Sequence, residues 1–113
     1  FQSVGPVDQS ALLFNNGQLT EKGLADLSIL GAVGDAMGHY FDHSGNPIPC
    51  WMDDHIIGID LEDLRKIPWS VLIAGGTEKI KPIDSAIRGK LFNVLITDIQ
   101  TAKALMKEKT HAE

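Results

Sequence analysis

The stretch that most constrains the fold is residues 70–83, SVLIAGGTEKIKPI, where an unbroken apolar run ends in two glycines and a lysine before a helix begins. Val71, Leu72, Ile73 and Ala74 lack the alternation of a half-wet strand, so they predict a strand covered on both faces, as in the parallel sheets of α/β proteins. Gly75 and Gly76 permit a sharp turn and a close approach of a ligand to the backbone. The helix that follows points its free N–H groups and positive dipole end at that gap, and Lys79 adds a full charge, so an anion fits there. The same pattern also serves as a plain strand-to-helix connection with an exposed lysine.

Pro82 suits a first helical turn and breaks an interior, which predicts a loop over residues 75–80 and a helix over about 81–88 closed by Gly89. Residues 91–97, LFNVLIT, read as a second doubly buried strand. Asp98 then caps a last helix over 99–107, with Ile99, Ala102, Leu105 and Met106 as its apolar face and Lys103, Lys107 and Lys109 as a solvated one. Upstream, residues 55–59 read as a strand and 60–66 as a short helix N-capped by Asp60 and stopped by Pro68. This alternation predicts a mostly parallel sheet flanked by helices, an α/β fold whose ligands bind beyond the carboxyl ends of strands.

In the first half, residues 4–7 suit the end of a strand, residues 10–14 a helical turn, and Thr20 the N-cap of a helix over 21–30. Leu24, Leu27 and Leu30 face a core from that helix, and Gly31 ends it. Gly31, Gly34 and Gly38 disfavour further helix, each by about 1 kcal/mol relative to alanine. Tyr40 and Phe41 favour a bent strand, and His43 to Pro47 a turn. Asp35 stands between Gly34 and Ala36. It is either a solvated strand residue or a carboxylate held in a cleft to accept hydrogen bonds from hydroxyls.

A chain of 113 residues with 43% hydrophobic content has the size and composition of one globular domain. Its net charge of −5 argues against a nucleic-acid surface on this segment, because phosphate binding draws on a basic face. The single cysteine, Cys50, excludes an internal disulfide, fits a reducing compartment, and reads as a plain thiol between Pro49 and Trp51. His39, His43 and His55 match no familiar metal-ligand spacing, so neither metal nor cofactor is expected. No apolar run approaches the roughly 20 residues of a membrane span, and the expected location is cytoplasmic. The chain opens without Met, and Phe1, Gln2 and Ser3 match the end of a common protease-cleavable tag or are native residues of something longer, which reads as a fragment.

Three blocks, GAVGDAMGHYFDHSGN, IIGIDLEDLRKIP and VLIAGGTEKIKPIDSAIRGKLFNVLITDIQTAKALM, resemble the C-terminal half of the effector-binding domain of SorC/DeoR-type bacterial transcriptional regulators. The resemblance covers the chain from about Val4 to Met106. It implies a partial domain similar to the NagB/RpiA/CoA-transferase group, spanning residues 1–113, that senses a phosphorylated sugar or related metabolite without turning it over. It also implies an N-terminal helix-turn-helix domain and an earlier half of the effector domain, both absent here, with operator DNA reached only through the former, and a homo-oligomer. Matched by motif, Asp35 of GAVGD falls on the family's acidic ligand contact and Lys79 of AGGTEK on its effector-contacting lysine, with Gly75 and Gly76 on the pocket floor. Pro82 departs from the helix-compatible residue common in relatives. The alternatives are a sugar-phosphate isomerase or deaminase of the same fold group, with Asp35 as general base, and a purely structural half-domain.

Overall fold

In the computed structural model, which describes residues 1–8, 15–17 and 19–111, the first six residues run through two sheets in succession. Gln2 forms a parallel bridge to Leu72: its N–H donates to Val71 O (2.9 Å) and its carbonyl accepts from Ile73 N (2.8 Å). The chain continues as β1 (Val4–Pro6) and, after α1 (Glu21–Ile29), enters β2 (Gly34–Ala36) and β3 (His39–Phe41). Next come a 3-10 turn (Trp51–His55), α2 (Leu61–Arg65), β4 (Val71–Ile73), a second 3-10 turn (Thr77–Lys79), α3 (Ile80–Arg88), β5 (Val94–Ile96) and α4 (Ile99–His111). The helical turn expected over residues 10–14 lies outside the described residues.

The fold is α/β, but its sheet is not mostly parallel. β1, β2 and β3 make an antiparallel sheet in that order, and only β4 and β5 pair in parallel. The reason is local: Met37 and Gly38 both take positive φ (54° and 84°), the pair of left-handed residues that closes a two-residue hairpin between β2 and β3. Nor are the two parallel strands doubly buried. Leu72 and Leu95 pack in one core with Ile83 and Ala86 of α3 and Leu105 of α4, whereas Ile73 and Ile96 on the opposite face are 46% and 51% exposed. Among the described residues, helices cover that sheet on one side.

The strand expected over residues 55–59 is absent. Asp53 accepts from Cys50 N through Oδ2 and contacts His39 Nδ1 through Oδ1, both at 3.0 Å, which winds the chain into the 3-10 turn, and Ile57 beyond it is fully exposed. Helix α3 begins at Ile80, a residue earlier than expected, which places Pro82 third, where its missing N–H has no partner to lose. Thr20 caps α1 by accepting from Gly23 N (3.0 Å), and Leu24 and Leu27 are buried, but Leu30 is the exposed C-cap residue. Among the residues of α4 whose burial is described, Leu105 and Thr101 are buried while Ile99 and Met106 are exposed; the buried Thr101 hydroxyl donates to Asp98 (3.0 Å) and accepts from Gly76 N (3.1 Å).

The antiparallel sheet separates two cores. Val4, Ala36 and Phe41 face the core shared with β4 and α3, and Tyr40 on the other face joins Leu24 and Leu27 of α1 with Ile48. The turn after β3 locks onto α3. Gly45, at φ 78°, sits so close to Gly89 that an added Cβ would lie 2.4 Å from Gly89 Cα and 2.5 Å from Ser85 O. Gly45→Ala therefore forces backbone against backbone and should lower stability by roughly 2–4 kcal/mol in urea unfolding. Gly17→Ala, at φ 76° with open space around it, should cost only about 1 kcal/mol. Equal losses would contradict this packing.

Candidate functional site

Side chains alternate across a strand, so Gly5, Asp35 and Tyr40, which are paired Cα partners across β1, β2 and β3, share the face turned toward α1. Tyr40 is buried there and Asp35 is partly buried. Gly5 leaves a gap that the Asp35 carboxylate fills, since a Cβ at Gly5 would lie 2.6 Å from Asp35 Oδ1. Lys79 arrives from the 3-10 turn beyond the carboxyl end of β4. Its ammonium donates to Ser3 Oγ at 3.4 Å, which holds it along the edge strand β1.

Burial pushes the Asp35 carboxyl up to about 6, and the positive charge of Lys79 pulls it part of the way back. Burial raises Tyr40 as well, with further contributions from the charges of Asp35 and Cys50. Among the described residues, the Asp35 carboxylate has no hydrogen-bond partner. A partly buried carboxylate with no donor among the described residues, under the charge of a nearby ammonium, is the kind of perturbed group from which binding sites are built. Above pH 6 it offers an acceptor-only group beside a cation, which suits a ligand carrying hydroxyls and an anionic oxygen.

The structure brings Asp35 and Lys79 into electrostatic contact, and it engages Gly75 and Gly76 elsewhere. A Cβ at Gly75 would lie 2.4 Å from Asp98 Oδ2, and Gly76, at φ 106°, donates its N–H to Thr101 Oγ1. Asp98 in turn accepts from Thr101 N (2.7 Å), and these donors hold its carboxyl below the usual range. The two glycines thus dock the Lys79 loop onto the start of α4, and the helix-end donors there are met by Asp98. Nothing in the motifs assigns Ser3 or Gly5 to the site. The available signal was a glycine inside a strand, which often marks a close approach.

A cavity of about 450 Å3 opens beside the Lys79 turn, lined by Pro6, Ser28, Val33, Glu78, Lys81 and Pro82 among others. Among the described residues, no group of three His, Cys, Asp or Glu side chains is placed to hold a metal ion, and no helix is long and apolar enough to cross a membrane.

Comparison with known proteins yields a consistent set. A family profile describing a sugar-binding domain matches residues 1–107. The deoxyribonucleoside regulator of Bacillus subtilis strain 168 is 42% identical over 106 residues, covering 94% of this chain and 34% of the relative. The transcriptional regulator LsrR of Klebsiella pneumoniae is 32% identical over 107 residues, covering 91% of this chain and 33% of the relative. Among solved structures, a transcriptional regulator from Streptococcus pneumoniae TIGR4 superposes with a TM-score of 0.84 at 30% identity, covering 96% of this chain and 42% of that one. The full-length sorbitol operon regulator SorC from Klebsiella pneumoniae superposes with a TM-score of 0.81 at 27% identity, covering 93% of this chain and 34% of that one. The chain spans about a third of the length of these curated relatives.

The Asp35 environment makes a pH-dependent prediction. The folded carboxyl titrates near 6 against 3.8 for the ordinary group, so the folded state holds the proton more tightly and stability falls as pH rises from about 4 to about 6. Asp35→Asn should leave stability near pH 4 almost unchanged and raise it at pH 8 by on the order of 2–3 kcal/mol. In a carboxyl 13C titration, Lys79→Ala should move the Asp35 midpoint further up. An unchanged stability at pH 8 would mean that the carboxylate is well solvated.

Proposed function

This chain belongs to the family of sugar-binding domains, and from that premise we propose that it is the ligand-sensing part of a bacterial transcriptional regulator that binds a phosphorylated sugar or related metabolite. The observation that carries the reading is the Asp35 carboxylate, partly buried, without a hydrogen-bond donor among the described residues and opposed by Lys79. In this reading Asp35 accepts from ligand hydroxyls, Lys79 meets the phosphate or another oxygen, and Gly75 and Gly76 shape the loop that carries Lys79. One relative is named for a deoxyribonucleoside and another for a sorbitol operon, which supports polyhydroxylated ligands as the common chemistry. The relatives are named as transcriptional regulators, so we assign binding without turnover in place of a sugar-phosphate isomerase or deaminase.

The finer placement is the C-terminal portion of a NagB/RpiA/CoA-transferase-like effector domain. Two observations support a partial domain, whichever end of the effector domain it forms. This chain fills 42% of the solved regulator from Streptococcus pneumoniae, and one face of the β4–β5 sheet is left with Ile73 and Ile96 exposed. Parallel strands normally have both faces covered. Signalling then follows from linkage: ligand binding shifts the population of subunit arrangements in a cytoplasmic homo-oligomer, and with it the operator affinity of a helix-turn-helix domain outside this chain.

A thermal-shift screen of pentose and hexose phosphates on the natural full-length protein tests the assignment. One or more should raise the melting temperature, and at a concentration of 100 times Kd the gain is about 2.7 kcal/mol. Lys79→Ala and Asp35→Asn should each weaken that ligand by roughly 10- to 100-fold. Turnover of the ligand, lost in Asp35→Asn, would favour the enzyme instead.

A further inference from the structure

We infer that Gly5 is the positioning residue of this site: the absence of a side chain on β1 is what lets the Asp35 carboxylate lie across that strand, partly buried and within reach of the Lys79 charge. The inference rests on the reading of Asp35 as the ligand's hydroxyl acceptor. Gly5 and Asp35 are Cα partners in the β1–β2 ladder, and a Cβ on Gly5 would stand 2.6 Å from Asp35 Oδ1 and 3.6 Å from its Cγ. The first distance is shorter than real Cβ contacts allow, so a side chain at position 5 and the carboxylate in this place exclude each other.

Backbone conformation does not account for this glycine. Gly17, Gly31, Gly38, Gly45 and Gly76 take positive φ, whereas Gly5 lies in regular extended pairing that any residue adopts. Core packing does not account for it either. Its strand neighbour Val4 points into the core, and Gly34 across the ladder is explained by close contact with Pro82 and Phe41, but among the described residues the atoms near a Cβ on Gly5 belong to Asp35 alone. Glycine weakens a strand interior, so its presence there calls for a close approach, and the approaching group is the carboxylate.

Gly5→Ala would meet the free end of a side chain and no backbone. The carboxylate gives way, the ladder stays, and Asp35 leaves its place beside Lys79. The test needs no ligand. In Gly5→Ala the Asp35 midpoint, followed by carboxyl 13C NMR, should move by at least about 0.5 pH unit while the circular dichroism spectrum is retained. Any fall in melting temperature caused by Gly5→Ala should vanish when the same substitution is made in Asp35→Ala, where the overlap no longer exists. A midpoint that moves by less than about 0.2 unit, or an equal fall with and without the carboxylate, overturns the inference. Should Gly5→Ala alone fail to fold, the double variant must fold, and its failure counts against the inference as well. The titration and the cycle decide the role of Gly5 whatever the sugar-phosphate screen returns, so the two readings fail separately.

Discussion

Everything in the proposed site depends on the chain's first six residues belonging to both sheets at once. Gln2 hydrogen-bonds into β4, and its side-chain amide donates to Ser70 Oγ (2.9 Å), while Val4–Pro6 pair with β2. Asp35 belongs to the antiparallel sheet and Lys79 to the turn that leaves the parallel one. Their approach is set by the strand between them, with Ser3 holding the ammonium and Gly5 admitting the carboxylate. The segment therefore serves both as a structural seam and as a wall of the site.

Much of this was legible in the sequence wherever one residue type settles a local question. Thr20 and Asp60 cap the helices they were expected to cap, Pro82 marks the start of α3, and the apolar runs around Leu72 and Leu95 are the parallel strands. What was not legible is what neighbours impose from a distance. The apolar residues of β4 and β5 carry no information on whether a second layer covers them, so double burial was expected where one face is open. The strand over residues 55–59 failed because Asp53 caps the chain into a 3-10 turn, and nothing in residues 55–59 shows which groups Asp53 will reach.

The candidate site shows the same division. Asp35 and Lys79 were singled out by motif, and the Asp35 alternatives, solvated or held in a cleft, differ by its surroundings alone. The structure gives it a partly desolvated place under Lys79's charge. Gly75 and Gly76 looked like a ligand-facing turn from their own positions. Their neighbours Asp98 and Thr101, from the start of α4, make them a docking joint for the loop. Burial raises the Asp35 carboxyl to about 6 and no donor among the described residues reaches it, so its ionised form opposes folding.

The most direct measurement is a chemical-shift map of the natural full-length protein, titrated with the sugar phosphate that stabilises it most. The account predicts that the largest changes fall on the Asp35 carboxyl carbon, the Gly5 amide and the Lys79 side chain. Changes gathered around His43, Asp84 and Arg88, which line a separate cavity beside α3, with the Asp35 carboxyl unmoved, would contradict it.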